Sequence, residues 1–186
     1  MLIQEIRARE ALKELGRTDE VRIDHATPRT WIGDKEYLCV YPKYFLDYLE
    51  PKIITMVFSG TITPSRKKFL DNFPRALVID SHKGWDEKLK YDKDEAYFKL
   101  MAQSKFVLCP NGCGLTDREK KGFYGDPAFA WTYRFFDAIF FLAIPIVEED
   151  LKIYEGYHYY KLGDNYEYNE EWVRLNLAKA KAELML

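Results

Sequence analysis

Arg134 and Asp137 are the two charged side chains in an otherwise apolar stretch, Ala128-Phe129-Ala130-Trp131-Thr132-Tyr133-Arg134-Phe135-Phe136-Asp137-Ala138-Ile139. An arginine presents a planar fork of N–H donors suited to bidentate contact with an anion. A carboxylate accepts from paired hydroxyls. Three positions apart on a helix, the two share a face. They either serve one ligand or pair with each other at the helix surface, and the bare spacing favours the pair. The neighbouring Trp131, Tyr133, Phe135 and Phe136 read as core, with Tyr133 or Trp131 as candidate covers for a ligand.

The elements that must position these residues are legible on either side. Lys105-Phe106-Val107-Leu108-Cys109 is an apolar run stopped by Pro110-Asn111-Gly112. Ala143-Ile144-Pro145-Ile146-Val147 is a second run, ending in Glu148-Glu149-Asp150. With the helix between them they form a strand–helix–strand unit. Apolar runs without polar alternation indicate strands buried on both faces, as in a parallel sheet covered by helices. Ligands of such sheets bind beyond the carboxyl ends of the strands, where Pro110-Asn111-Gly112 and Glu148-Glu149-Asp150 fall. The same alternation begins upstream. Ile53–Phe58 is a strand turning at Ser59-Gly60-Thr61, Thr63 caps a helix with Pro64 at its first position, and Ala76–Asp80 is the next strand. Asp94 to Ser104 reads as a helix, Tyr157–Leu162 as a last strand and Asn169–Leu184 as a terminal helix that packs on Trp172, Leu175 and Leu177.

Three blocks in this order carry a resemblance. Ser104-Lys-Phe-Val-Leu-Cys-Pro-Asn-Gly112, Thr132-Tyr-Arg-Phe-Phe-Asp-Ala-Ile139 and Ala143-Ile-Pro-Ile-Val147 resemble the exostosin family of glycosyltransferases. The similarity lies in the carboxy-terminal, nucleotide-sugar-binding lobe of that two-lobed (GT-B type) architecture. Phe58-Ser59-Gly60 and Arg66 match a further block, so the resemblance covers about residues 52–165. It implies a nucleotide-diphosphate sugar as donor and a glycan or other acceptor. The implied donor site is Gly60, Arg66, Asn111, Gly112, Thr132, Arg134 and Asp137. Arg134 would take the diphosphate, and Asp137 would stand on the nucleoside side where the family has Glu. Backbone N–H groups at a glycine turn and a helix N-terminus suit a diphosphate, and stabilising its growing charge is itself a catalytic contribution. The donor is a substrate, so no cofactor is implied; metal dependence and the catalytic base stay open. A fucosyltransferase-like enzyme is a near alternative, and a non-catalytic nucleotide- or sugar-binding module, or one lobe of a two-chain enzyme, is another.

The chain departs from that family in two places. Cys113 to Trp131 is long and charged, with Asp117-Arg118-Glu119-Lys120-Lys121, and reads as a lid or an insertion. Asp126-Pro127 offers one helix start and Thr132 another, and only the second puts Arg134 in the first turn; the two starts are best reconciled by a break between them. Residues 1–50 are also too few for an acceptor lobe. They read as a helix over 3–15 with Ile3, Ile6, Leu12 and Leu15 inward and Gly16 as its stop. Strands at Val21–Ile23 and Tyr37–Tyr41 follow, with an irregular loop from Asp24 to Trp31 between them. His25, Arg29 and Trp31 could line a site there, with His25 or Asp24 as base, although ordinary loop packing is the simpler reading. Trp31, Tyr41 and Tyr44 are candidates for a homo-oligomer interface that would close the cleft.

The 186 residues, 47% hydrophobic and 16% aromatic, suffice for one cored domain. The net charge of -2 shows no basic excess for nucleic acid. Three cysteines, an odd number, argue against a disulfide framework and for a reducing compartment. Leu2-Ile3 passes straight into Gln4-Glu5-Ile6-Arg7, which is not a signal peptide, and no run reaches the ~20 apolar residues of a membrane span. The expectation is a cytoplasmic protein of α/β class. Residues 51–186 would form a single Rossmann-like, mostly parallel sheet of about five strands with helices on both faces, and residues 1–50 a helical and irregular extension.

Overall fold

The computed structural model describes residues 3–24, 29–80, 95–112 and 131–186. His25, Cys113, the charged stretch around Asp117–Lys121 and the helix start at Asp126-Pro127 lie outside the described residues.

The chain opens with α1 (Ile3–Glu14), ended by Gly16 at φ 66°. Only a residue without Cβ adopts that conformation cheaply, and Arg17 N–H returns to Leu12 O at 2.9 Å. A small antiparallel sheet follows, of β1 (Val21–Ile23), β2 (Thr30–Ile32) and β3 (Lys35–Tyr37) in that order. Ala8, Ala11 and Leu12 pack on Val21, Ile32 and Val40. Two expectations change here. The inward face of α1 is Gln4, Arg7, Ala8, Ala11 and Leu12, while Ile3 and Leu15 are exposed. Small alanines let the helix lie close to the sheet, and its two polar residues find buried partners. The strand expected over Tyr37–Tyr41 lies at Lys35–Tyr37, and part of the expected loop is β2. Three-residue strands carry too little alternation for their limits to be read locally.

The main sheet comprises β4 (Ile54–Gly60), β5 (Leu77–Asp80), β6 (Ser104–Cys109), β7 (Ile144–Val147) and β8 (Tyr160–Lys161). Its order is β5-β4-β6-β7-β8, and every pairing is parallel. The helices are α2 (Pro64–Leu70), α3 (Glu95–Ala102), α4 (Tyr133–Phe140) and α5 (Glu170–Leu184). This is the expected α/β architecture, a Rossmann-like layer. The period of two in the strands assigns side chains to faces. Val57, Val107, Cys109 and Val147 join one buried cluster with Phe98 and Met101 of α3 and Phe135, Phe136, Ile139 and Phe140 of α4. Phe58, Phe106, Leu108, Ile144 and Ile146 join the other with Phe69 and Leu70 of α2 and Val173 of α5. The carboxy-terminal part of α5, with Ala180 and Leu184, belongs to the first cluster, so α5 reaches both. Its buried residues are Val173, Asn176, Ala180 and Leu184, whereas Leu175, expected to pack, is exposed.

β8 is shorter than the strand expected over Tyr157–Leu162. Tyr157 leaves the ladder to pack edge-on against Phe135 and Phe136, with ring centroids 5.8 and 5.7 Å apart. Just ahead of β4, Lys52 Nζ donates to Ala102 O at 2.7 Å and Phe141 O at 2.6 Å, the carboxyl ends of α3 and α4. Burial lowers its ammonium to about 8. Among the described residues no helix is long and apolar enough to cross a membrane.

Candidate functional site

Numbered within itself, the main sheet runs 2-1-3-4-5. The connection from β4 goes to one side and the next returns past it to β6, so the winding reverses between β4 and β6. Open sheets of this kind leave a crevice at the reversal, beyond the carboxyl ends of the two strands. Gly60 ends β4, and Cys109 with Pro110-Asn111-Gly112 ends β6.

Six of the seven candidate residues meet there. Thr132, in extended conformation, is the N-cap of α4, and its Oγ1 accepts from Arg134 N–H at 3.4 Å. Of the two helix starts the sequence offers, α4 takes this one, and Arg134 is in the first turn. The Arg134 side chain turns back across the sheet edge. Its Nε and Nη2 donate to Ser59 O at 3.1 and 2.8 Å, Nη1 donates to Thr132 Oγ1 at 3.4 Å, and the guanidinium lies 4.6 Å from the Phe58 ring centroid. A Cβ on Gly60 would stand 2.2 Å from Arg134 Nη2, so glycine is what admits the guanidinium. A Cβ on Gly112 would stand 2.0 Å from Trp131 O, so the second glycine lets the start of α4 close on the end of β6.

Arg66 spans the crevice from α2. Its Nη1 donates to Thr61 O at 2.9 Å, Nη2 to Gly112 O at 2.7 Å and Nε to Asn111 O at 3.3 Å. It ties the loop after β4 to the loop after β6. Asn111 is held from the other side, its N–H by Glu148 at 3.1 Å and its Nδ2 by Glu149 at 2.6 Å. Glu148 and Glu149, noted in the sequence only as a strand end, thus brace the rim.

The electrostatics of Arg134 are unusual. Its positive charge stands at the positive end of the α4 dipole, where an anion is favoured and a cation is not. Its partners are neutral oxygens and a ring, and among the described residues no carboxylate pairs with it. An anion bound at this point would relieve both.

Asp137 is not part of this group. It is 3% exposed, and its carboxylate accepts from Arg7 at 2.8 and 3.3 Å, Tyr41 OH at 2.7 Å and Tyr97 OH at 3.1 Å. The expectation that Asp137 faces the ligand beside Arg134 is therefore corrected, and the two do not pair with each other either. Arg134 sits in the open first turn and can swing to the strand ends. Asp137 lies one turn deeper, where α1, Tyr41 and Tyr97 close over it. The Arg7 guanidinium lies 4.6 and 4.7 Å from the centroids of Tyr41 and Phe45. Burial works against its charge, but the Asp137 carboxylate and neighbouring tyrosines hold it firmly protonated. Burial, with Asp137 adding to it, pushes Tyr41 and Tyr97 well above the ordinary tyrosine range. Sequence reading missed Arg7 because its partner is 130 positions away. The available signal was a helix whose inward positions include Gln4 and Arg7, polar groups that need buried partners.

In the amino-terminal region Arg29 forms an exposed ion pair with Glu36 at 3.4 Å, and Trp31 is a half-buried residue of β2. Cys39 and Cys109 are buried, free thiols. Among the described residues no three His, Cys, Asp or Glu side chains are grouped to hold a metal ion. No family model, no curated protein and no solved structure matches the chain.

Proposed function

We propose that the crevice between β4 and β6 binds the diphosphate of a nucleotide sugar, and that the chain is the donor-binding lobe of an exostosin-like glycosyltransferase. The observation that carries this reading is Arg134. Its guanidinium is fixed by Ser59 O and admitted by Gly60, and it stands at the helix N-terminus beside the sheet reversal with no carboxylate partner among the described residues. A pre-positioned cation of this kind stabilises an anionic leaving group at no cost of reorganisation. Arg66, bonded to three carbonyls, holds the two loops that form the walls.

The neighbouring reading is a non-catalytic nucleotide-binding module. The position of Asp137 favours it, because the carboxylate that the motif assigns to the nucleoside is occupied by Arg7, Tyr41 and Tyr97. Calorimetric titration with nucleoside diphosphates tests both readings, and their failure to bind would refute both. Donor hydrolysis or transfer to saccharide acceptors then separates the enzyme from the module. Weak binding with poor transfer by this chain alone is the expected result, since fast transfer needs donor, acceptor and base held together.

A further inference from the structure

We propose that the hydroxyl of Thr61 binds a phosphoryl oxygen of the nucleoside diphosphate. The assignment rests on the donor-site reading above and adds a contact which that reading leaves out. Among the described residues, Thr61 Oγ1 is the one buried side-chain nitrogen or oxygen without a hydrogen-bond partner. Buried polar groups are nearly always bonded, so an orphan calls for a reason. Its place in the fold supplies one. Thr61 follows Gly60, the residue that admits the Arg134 guanidinium, and begins the loop from β4 to α2. That loop is one wall of the crevice. The Thr61 carbonyl accepts from Arg66 Nη1 at 2.9 Å, and Arg66 Nη2 donates to Gly112 O at 2.7 Å on the opposite wall.

The backbone around Thr61 is therefore held while its side chain is left unused. On one side Ser59 O accepts from Arg134, and on the other Ile62 N–H donates to Asp80 Oδ1 at 3.3 Å. A hydroxyl donates one hydrogen bond and accepts others, so by itself it suits an anion or a diol. The neighbouring charge decides for the anion. Arg134 rests against Gly60, the residue next to Thr61, so a phosphoryl group on that cation meets the Thr61 side chain beside it. Hydrogen bonds to an ionised oxygen are the stronger kind. Thr61 as a whole is only half-buried. Rotation about χ1, between staggered settings, carries Oγ1 to the open side of the residue, where a bound anion gives it the partner it lacks.

The test is isothermal titration of wild type, Thr61→Val and Thr61→Ser with ADP, CDP, GDP and UDP and the 2′-deoxy form of each, beside thermal unfolding of the three chains without ligand. Valine keeps the shape and drops the hydroxyl, whereas serine keeps the hydroxyl. Thr61→Val should unfold at or above the wild-type temperature, because it removes an unsatisfied buried group. It should bind the nucleotide roughly tenfold more weakly, as loss of a hydrogen bond to a charged group implies. Thr61→Ser should bind as wild type does. The loss in Thr61→Val should be equal for the ribose and 2′-deoxy forms, since the contact is to phosphate. If nucleotides bind and Thr61→Val matches wild type, the assignment falls and the donor site stands. The same follows if Thr61→Ser is as weak as Thr61→Val, or if the loss is confined to the ribose forms. A lower unfolding temperature for Thr61→Val also overturns it, since the hydroxyl then has its partner inside the protein. If wild type binds none of the diphosphates, the donor site and the Thr61 contact fall together.

Discussion

Asp137→Asn removes one charge from a buried pair and very little else. Both side chains of the Arg7–Asp137 pair are 5% exposed, and Asp137 receives the Arg7 fork together with Tyr41 and Tyr97. The amide still accepts from the tyrosines, but Arg7 is left charged and uncompensated among Tyr41, Phe45 and Tyr133. Breaking a buried pair from one side costs about 3–5 kcal/mol, against a total of ~5–15 kcal/mol for a typical domain. A chain of this size loses roughly 2–4 °C of Tm per kcal/mol, so a drop of about 6–20 °C is expected. Urea unfolding and calorimetry measure it. Arg7→Met with Asp137→Asn should recover most of the loss, because the stranded charge is gone and Met fills the space between the rings. Nucleotide affinity of the folded fraction of Asp137→Asn should match wild type, since Asp137 does not face the crevice. A loss below about 0.5 kcal/mol, the usual range of surface substitutions, would refute the buried pair. Normal stability with abolished nucleotide binding would return Asp137 to the ligand site.

Arg134→Ala should leave the fold intact and weaken nucleoside diphosphate binding roughly ten- to a hundredfold, as loss of charge-assisted bonds of about 1.5–3 kcal/mol implies; unchanged affinity by calorimetry would count against the site. Gly60→Ala should displace the Arg134 guanidinium, which a Cβ would approach to 2.2 Å, costing about 1–3 kcal/mol of stability and lowering affinity along with it. Lys52 makes stability depend on pH in the alkaline range. Its folded value is about 8 and its unfolded value near 10.4, so between them the unfolded chain binds more protons. Its stabilising contribution is complete above the unfolded value and lost as pH falls to about 8. Urea midpoints from pH 7.5 to 10 should rise on this account, and Lys52→Met should flatten the rise.

The alternation of strands and helices was legible because its signals are local. Thr63-Pro64 caps α2 by chemistry that any chain shows at a helix start. The apolar runs at Phe106 and Ile144 could hardly be anything but buried strands. Both starts of the α4 helix were written in the sequence, but choosing between them needed the packing of Trp131 O on Gly112 and of Arg134 on Gly60. The three-residue strands of the amino-terminal sheet were not legible, because their limits are set by pairing with one another.

The chain's own pattern determined that a parallel sheet would form and that Gly60, Arg66, Asn111, Gly112 and Thr132 would lie near its carboxyl edge. Strand polarity and turn chemistry fix those positions before any long-range contact is made. Tertiary structure alone decided that the sheet reverses between β4 and β6. It also set Arg134 and Asp137, neighbours on one helix, to opposite tasks. Spacing along a helix specifies a shared face, but the direction of a long side chain is chosen by what it can bond. Ser59 O stood at the strand end for Arg134, and Arg7, 130 positions away, came in over Asp137.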